Sequence, residues 1–185
     1  MKRHQDGVTL IETLVSALIT AVGLLGVFEL HSTAKRSSFG SLQYVHAHAL
    51  VTDIVERMRA NPAQLSVYAS REYGTGRFNA PATMCGATNS DVPACTPQEI
   101  AEWDRYSWDQ MLTGRDEKVG DRSVGGANAM QGCITVLDTS VEVVVVWLTL
   151  EDTTDGAVSG TAAQCGQPDT RRRSVRVETA VVEGI

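Results

Sequence analysis

Glu12 stands two residues inside an apolar run that extends from Leu10 to Leu30. An acidic side chain well inside a membrane helix costs about 2.5–3.5 kcal/mol on insertion scales. Either the carboxylate reaches back to the headgroups or it meets a cation within the membrane. Cleavage between Gly7 and Val8 supplies such a cation, a free α-amine at the start of the apolar helix. When helices pack side by side with an axial stagger, Glu12 of one chain can meet the new amine of its neighbour. At about 4 Å and an effective dielectric near 20, the attraction is about 4 kcal/mol before desolvation. Such a pair fixes register more than it adds stability.

The other candidates for chemistry are the four cysteines, Cys85, Cys95, Cys133 and Cys165. They form no C-x-x-C pair and have no histidine at zinc-ligand spacing, so no metal is expected. An even count downstream of a membrane segment points to two disulfides and an oxidising compartment, with buried free thiols as the alternative. Four cysteines allow three connectivities. The short loop CGATNSDVPAC favours Cys85 with Cys95, leaving Cys133 for Cys165.

Motifs that would imply catalysis or a cofactor (G-x-G-x-x-G, P-loop, H-E-x-x-H, G-x-S-x-G) are missing, so no catalytic residue is named and no enzyme is expected. His46 and His48 point to different faces of a helix and make a poor metal pair. Glu151–Asp155, EDTTD, offers oxygen ligands to calcium; a solvated loop is the expected role. Thr170–Ser174, TRRRS, could touch DNA phosphates, but a charged strand start is expected. Glu102, Asp104 and Asp109 read as solvated carboxylates. A net charge of −6 and no long basic run argue against a general nucleic-acid binder.

The elements that must position these residues follow from periodicity. Residues 1–7 form a short leader carrying Lys2 and Arg3, and residues 8–30 are long enough to span a bilayer. The preceding positive charge keeps the N-terminus cytoplasmic and sends the rest across. No small-residue cleavage site follows Phe28, so the segment is expected to be retained. Gly23 and Gly26 interrupt it, for close helix packing or for local melting. Residues 31–61 continue the helix as an amphipathic half. Ala47, Leu50, Val51, Ile54, Val55 and Met58 line one face, and Asn61-Pro62 stops it. Residues 62–185 form a periplasmic globular domain. Within it, residues 63–97 read as an irregular connection, followed by a helix from Thr96 or Pro97 to Gly114 with Trp103 and Trp108 in the core. CITVLD, VEVVVVWLTL and RSVRVETAVVE then read as three strands of an antiparallel meander, the valine run buried on both faces. In that meander Cys133 and Cys165 enter their strands from one end of the sheet, and their bridge staples it across the central strand. The fold class is α+β: a long N-terminal helix packed on a small antiparallel sheet.

The hexapeptide GVTLIE after a basic leader resembles the processing site of type IV prepilins, commonly G-F-T-L-I-E, with Val8 in place of the usual phenylalanine. The resemblance implies that a prepilin peptidase cuts after Gly7 and methylates Val8, and that Glu12 pairs with a neighbouring subunit's amine. DIVERMRANPA (Asp53–Ala63) and GLLGVFEL are similar to a narrower group, the minor pilins of the PilV type. That likeness covers mainly residues 7–63. It implies a structural subunit that associates with other minor pilins, the major pilin and the inner-membrane assembly machinery, primes the pilus, and supports twitching motility and adhesion. Its place is then the inner membrane and afterwards the pilus, the tip included. Three other readings stand beside it: a minor pseudopilin of a type II secretion system, a signal-anchored periplasmic binding domain, and a DNA-uptake pilin using Arg171, Arg172 and Arg173.

Overall fold

The computed structural model describes residues 7, 9–85, 94–115, 117–123 and 129–182. Its first element, α1, runs unbroken from Leu10 to Ala60. Pro62 follows at once, and Asn61 N–H still reaches the Met58 carbonyl at 3.2 Å. A proline clashes with a helical residue before it, so the helix ends where the sequence requires.

The chain divides into two compact units, residues 1–42 and residues 43–185. In the first unit the apolar side chains of α1 are exposed, Leu14, Leu18, Leu25 and Phe28 among them. Among the described residues, α1 is the one helix long and apolar enough to cross a membrane. The three hydroxyls of its apolar run are satisfied internally: Thr13 donates to the Leu10 carbonyl, Ser16 to the Glu12 carbonyl and Thr20 to the Ser16 carbonyl, each at 2.8 Å. A hydrocarbon environment demands this of every polar group.

The second unit begins at Gln43, where α1 first buries a face. Ala47, Leu50, Val51, Ile54, Val55 and Met58 are all buried, as their spacing predicts. They pack with one face of a four-stranded antiparallel sheet. Its strands are β1 (Ser70–Tyr73), β4 (Gln131–Leu137), β5 (Ser140–Leu148) and β6 (Arg172–Ala180), in spatial order β1-β4-β5-β6. Register Ile134↔Val143↔Val177 puts Ile134, Val141, Val143, Val145 and Val175 in the helix-side core. The intervening Val144 and Val146 enter a second, smaller core on the other face with Cys133, Ala157, Ala162 and Cys165. β5 is therefore buried on both faces, which explains its unbroken valines. A two-stranded ribbon, β2 (Lys118–Val119) with β3 (Arg122–Ser123), stands apart from this sheet.

Two short helical pieces, a 3-10 turn at Pro62–Gln64 and α2 (Leu65–Tyr68), lead from α1 into β1. The stretch expected to be irregular thus contributes the fourth strand. β1 is polar and four residues long, and it is held by pairing with β4 through an irregular register. Nothing local in Ser-Arg-Glu-Tyr forces that conformation.

Helix α3 (Pro97–Thr113) has the ends its sequence announces. Thr96 Oγ1 accepts from the Glu99 N–H at 3.3 Å, and the Glu99 carboxylate accepts from the Thr96 N–H at 2.8 Å, a reciprocal capping box. Gly114 closes the other end at φ 63°. Trp108 is fully buried and its indole N–H donates to the Leu50 carbonyl at 2.9 Å, joining α3 to α1. Trp103 is only half-buried, against Tyr106, and is not a core residue of the same kind. Gly132 of β4 lies flat under the Trp108 ring, with no room for a Cβ. Gly132→Ala is expected to cost about 1–3 kcal/mol through overpacking. Urea unfolding followed by tryptophan fluorescence checks this, since Trp103, Trp108 and Trp147 all lie in the second unit.

Candidate functional site

The N-terminal motif occupies the start of α1. Gly7 is exposed with open space where a Cβ would stand, so its side is accessible. The leader residues 1–6 and Val8, expected to carry the methyl group, lie outside the described residues. Thr9 caps the helix: its hydroxyl accepts from the Glu12 N–H at 3.4 Å and its carbonyl from the Thr13 N–H at 3.2 Å. Glu12 therefore sits in the first turn, where the helix dipole favours a negative charge. Its side chain is exposed and has no hydrogen bond or ion pair among the described residues. A carboxylate at this position, unmatched among the described residues, can take a cation from outside.

Both cysteine pairs are bonded. Cys85 joins Cys95 with Cα atoms 5.9 Å apart, and Cys133 joins Cys165 at 5.8 Å. The second bridge does not link two strand ends. Cys133 lies inside β4, whereas Cys165 follows a 3-10 turn at Gly160–Gln164, seven residues before β6. It fastens the long β5–β6 connection onto the outer face of the sheet and forms the centre of the smaller core. A bridge of this loop length contributes about 2–4 kcal/mol.

A polar network joins α1, α2, β1 and α3. Asp104 accepts from Tyr68 Oη at 2.8 Å and from Arg57 at 2.9 Å, while Arg57 also holds Asp53 at 2.8 Å. Asn61 donates to the Pro97 carbonyl at 2.7 Å, and Tyr73 donates to the Tyr68 carbonyl at 2.7 Å. Asp109 is wholly buried and accepts from the Gly74 N–H at 2.7 Å, fixing the turn after β1. Asp104 and Asp109 are thus not solvated, contrary to expectation. The signal was available: Ala101, Asp104, Trp108 and Leu112 follow one helical stripe, which places Asp104 on the buried face.

Burial pushes the Asp109 carboxyl above the ordinary range, the Gly74 amide opposing. Burial also raises both tyrosines, Tyr73 to about 12, with Arg105 opposing; Tyr68 is raised further, next by Asp104. A tyrosine in the unfolded chain ionises near 10. The stability tied to the neutral phenols is therefore complete below about pH 10 and lost as pH rises through the folded values. Of the four tyrosines, two are expected to ionise only together with loss of the native tryptophan signal. Absorbance at 295 nm and fluorescence in one alkaline titration test it. Four phenolates appearing near pH 10 with the fold intact would refute it.

The loops read as possible cation or phosphate sites neutralise one another. Arg172 is 2 % exposed; it donates to both Asp155 oxygens at 2.8 Å and to the Ala157 carbonyl at 2.8 Å and the Cys165 carbonyl at 2.9 Å. Arg171 holds Asp169 at 3.1 Å, and Arg173 donates to the Thr154 carbonyl at 2.9 Å. Asp152 accepts from the Thr170 hydroxyl at 3.0 Å. Arg172 is thus committed within the chain and unavailable to a phosphate, whereas Arg171 and Arg173 are paired at partly exposed positions. Among the described residues no group of three or more His, Cys, Asp or Glu could hold a metal.

Residues 2–28 match the prokaryotic N-terminal methylation motif, and residues 30–106 match the family model described as type IV pilin Tt1218. No curated protein and no solved structure matches the chain. The second match extends from the apolar half of α1 to the middle of α3 and so includes the network around Asp104. Over residues 30–106 the chain is therefore similar to type IV pilins, and over residues 2–28 to sequences that carry the N-terminal methylation motif.

Proposed function

We propose that this chain is a minor pilin of the PilV type, which primes assembly of a type IV pilus with other minor pilins and supports twitching motility and adhesion. The observation that carries the reading is the succession of a methylation-motif match over residues 2–28 and a pilin-family match that begins at residue 30 on the same helix. In this reading a prepilin peptidase cuts after Gly7 and methylates the new N-terminus at Val8. The single-pass helix holds the subunit in the inner membrane with residues 62–185 in the periplasm. Glu12 then takes the amine of a neighbouring subunit and sets the axial position on entry into the filament, where the subunit remains at the tip.

Two measurements test this. Co-expression with a prepilin peptidase is expected to give an intact mass, without reductant, that lacks residues 1–7, carries one added methyl group and shows two disulfides. Deletion of the gene is expected to abolish twitching and surface pili and to leave protein secretion unchanged. Lost secretion with normal twitching would instead assign the chain to a type II secretion system. An uncut N-terminus beside a control prepilin that is cut would leave a signal-anchored periplasmic domain.

A further inference from the structure

A cavity of about 230 Å³ lies on the outer face of the sheet, where the start of β4 and the end of β5 meet the chain after Cys165. Val146 and Leu148 give it an apolar floor, and Gln131, Gln167 and Asp169 give it polar walls. The volume exceeds that of a single water, about 30 Å³. It lies below the range of about 300–1,000 Å³ usual for drug-sized ligands. One small ring fits such a space.

The walls are held in place by the clamp already described. The Cys133–Cys165 bridge ends one residue before Gly166, which lines the cavity. Arg172 donates to the Cys165 carbonyl at 2.9 Å and to the Gly166 carbonyl at 3.5 Å. Gly166 stands at φ 69°, and a Cβ there would lie 3.0 Å from Val146 Cγ2 and 3.3 Å from Gln131 Oε1. Glycine therefore keeps the space beside the Gln131 carboxamide open. A site formed in advance in this way binds with little ordering cost.

Charge decides what the cavity can hold. Arg172 is bound to both Asp155 oxygens at 2.8 Å, and Arg171 holds Asp169 at 3.1 Å. The two ion pairs cancel, so the site favours neither an anion nor a cation. The Gln131 and Gln167 carboxamides, by contrast, have no hydrogen bond among the described residues. Each offers N–H donors and a carbonyl acceptor without charge. Neutral polar groups around an apolar floor match a ring with hydroxyls on its edge and C–H groups on its face. We propose that the cavity binds one neutral hexose ring, its C–H face on Val146 and Leu148 and its hydroxyls on Gln131 and Gln167. The inference rests on the proposed function only for its purpose, since a subunit that supports adhesion requires a surface ligand.

The test is saturation-transfer NMR on the full-length chain in a detergent that carries no sugar, with methyl glucoside, methyl galactoside and methyl mannoside as probes. At least one is expected to bind saturably with Kd on the order of 1 mM. Gln131→Leu, which keeps the side chain's length, and Gln167→Ala, at an exposed position, are each expected to raise that Kd about tenfold. Tryptophan fluorescence verifies that both variants are folded. Raised salt and added inorganic phosphate are expected to leave binding unchanged, because the neighbouring charges are already paired. Saturable binding by none of the three probes, an unchanged Kd in either variant, or displacement by phosphate would each overturn the site. If the site fails while piliation still requires the chain, the subunit reading stands. A sugar-binding chain that is dispensable for piliation would keep the site and lose that reading.

Discussion

Glu12→Leu is expected to leave the chain cleaved and membrane-bound but to cut its amount in sheared pili about tenfold or more. The substitution removes an insertion cost of at most about 2.5–3.5 kcal/mol, the figure for a helix centre, so the anchor itself becomes more favourable. What it loses is the match to a neighbour's amine, worth about 4 kcal/mol before desolvation; a net loss of 1.4 kcal/mol gives the tenfold change. The structure adds a reason for expecting a clean separation of these effects. The Glu12 side chain has no hydrogen bond or ion pair among the described residues, and Thr9 caps the helix through the backbone N–H of residue 12 whichever side chain stands there. Immunoblots of membrane and pilus fractions, with an intact mass to verify cleavage, read both quantities. A wild-type amount of Glu12→Leu in the pili would show that the carboxylate serves only the helix dipole or the headgroups.

Arg172→Met is expected to destabilise residues 43–185 by about 3–5 kcal/mol, the scale of breaking a buried ion pair from one side. The guanidinium spans Asp155, the Ala157 carbonyl and the Cys165 carbonyl, so its loss orphans three acceptors at once. These acceptors lie along the β5–β6 connection, which the Cys133–Cys165 bridge fastens at one point only. Urea unfolding of the full-length chain in detergent, read by tryptophan fluorescence, measures the effect, and a loss below about 1 kcal/mol would contradict the clamp.

Asp155→Asn separates the charge from the hydrogen bonds. The Asp155 carboxyl is held below its ordinary range, first by its hydrogen bonds to Arg172. A depressed carboxylate contributes stability above its unfolded value, near 3.9, and loses it as pH falls through the folded value. The difference between parent and Asp155→Asn is therefore expected to be largest near neutrality and to shrink below about pH 4.

Much of this architecture is legible in the chain because it depends on local rules. The long α1 follows from an apolar run, a continuous 3.6-residue stripe and the Asn61-Pro62 stop. α3 follows from Thr96, Glu99 and Gly114, each of which acts on its own backbone neighbours. The alternation in β6 and the doubly buried valines of β5 reflect a period of two that burial imposes. The motif around Gly7 and Glu12 is contiguous, so its chemistry can be read without a fold.

The remainder was decided by tertiary structure. β1 is a strand only because β4 offers it a ladder, and Ser-Arg-Glu-Tyr has no intrinsic pattern that demands one. Asp104 is buried because Arg57 and Tyr68, 47 and 36 residues away, arrive to satisfy it. Arg172 belongs to a run of three arginines that looks like a solvated face, yet one of them is drawn inside by Asp155 and two carbonyls. Whether a charge is buried depends on partners distant in sequence, since desolvation is tolerable only where they complete its hydrogen bonds. Sequence periodicity fixes which backbone segments form, and only the folded chain fixes which of their polar groups meet.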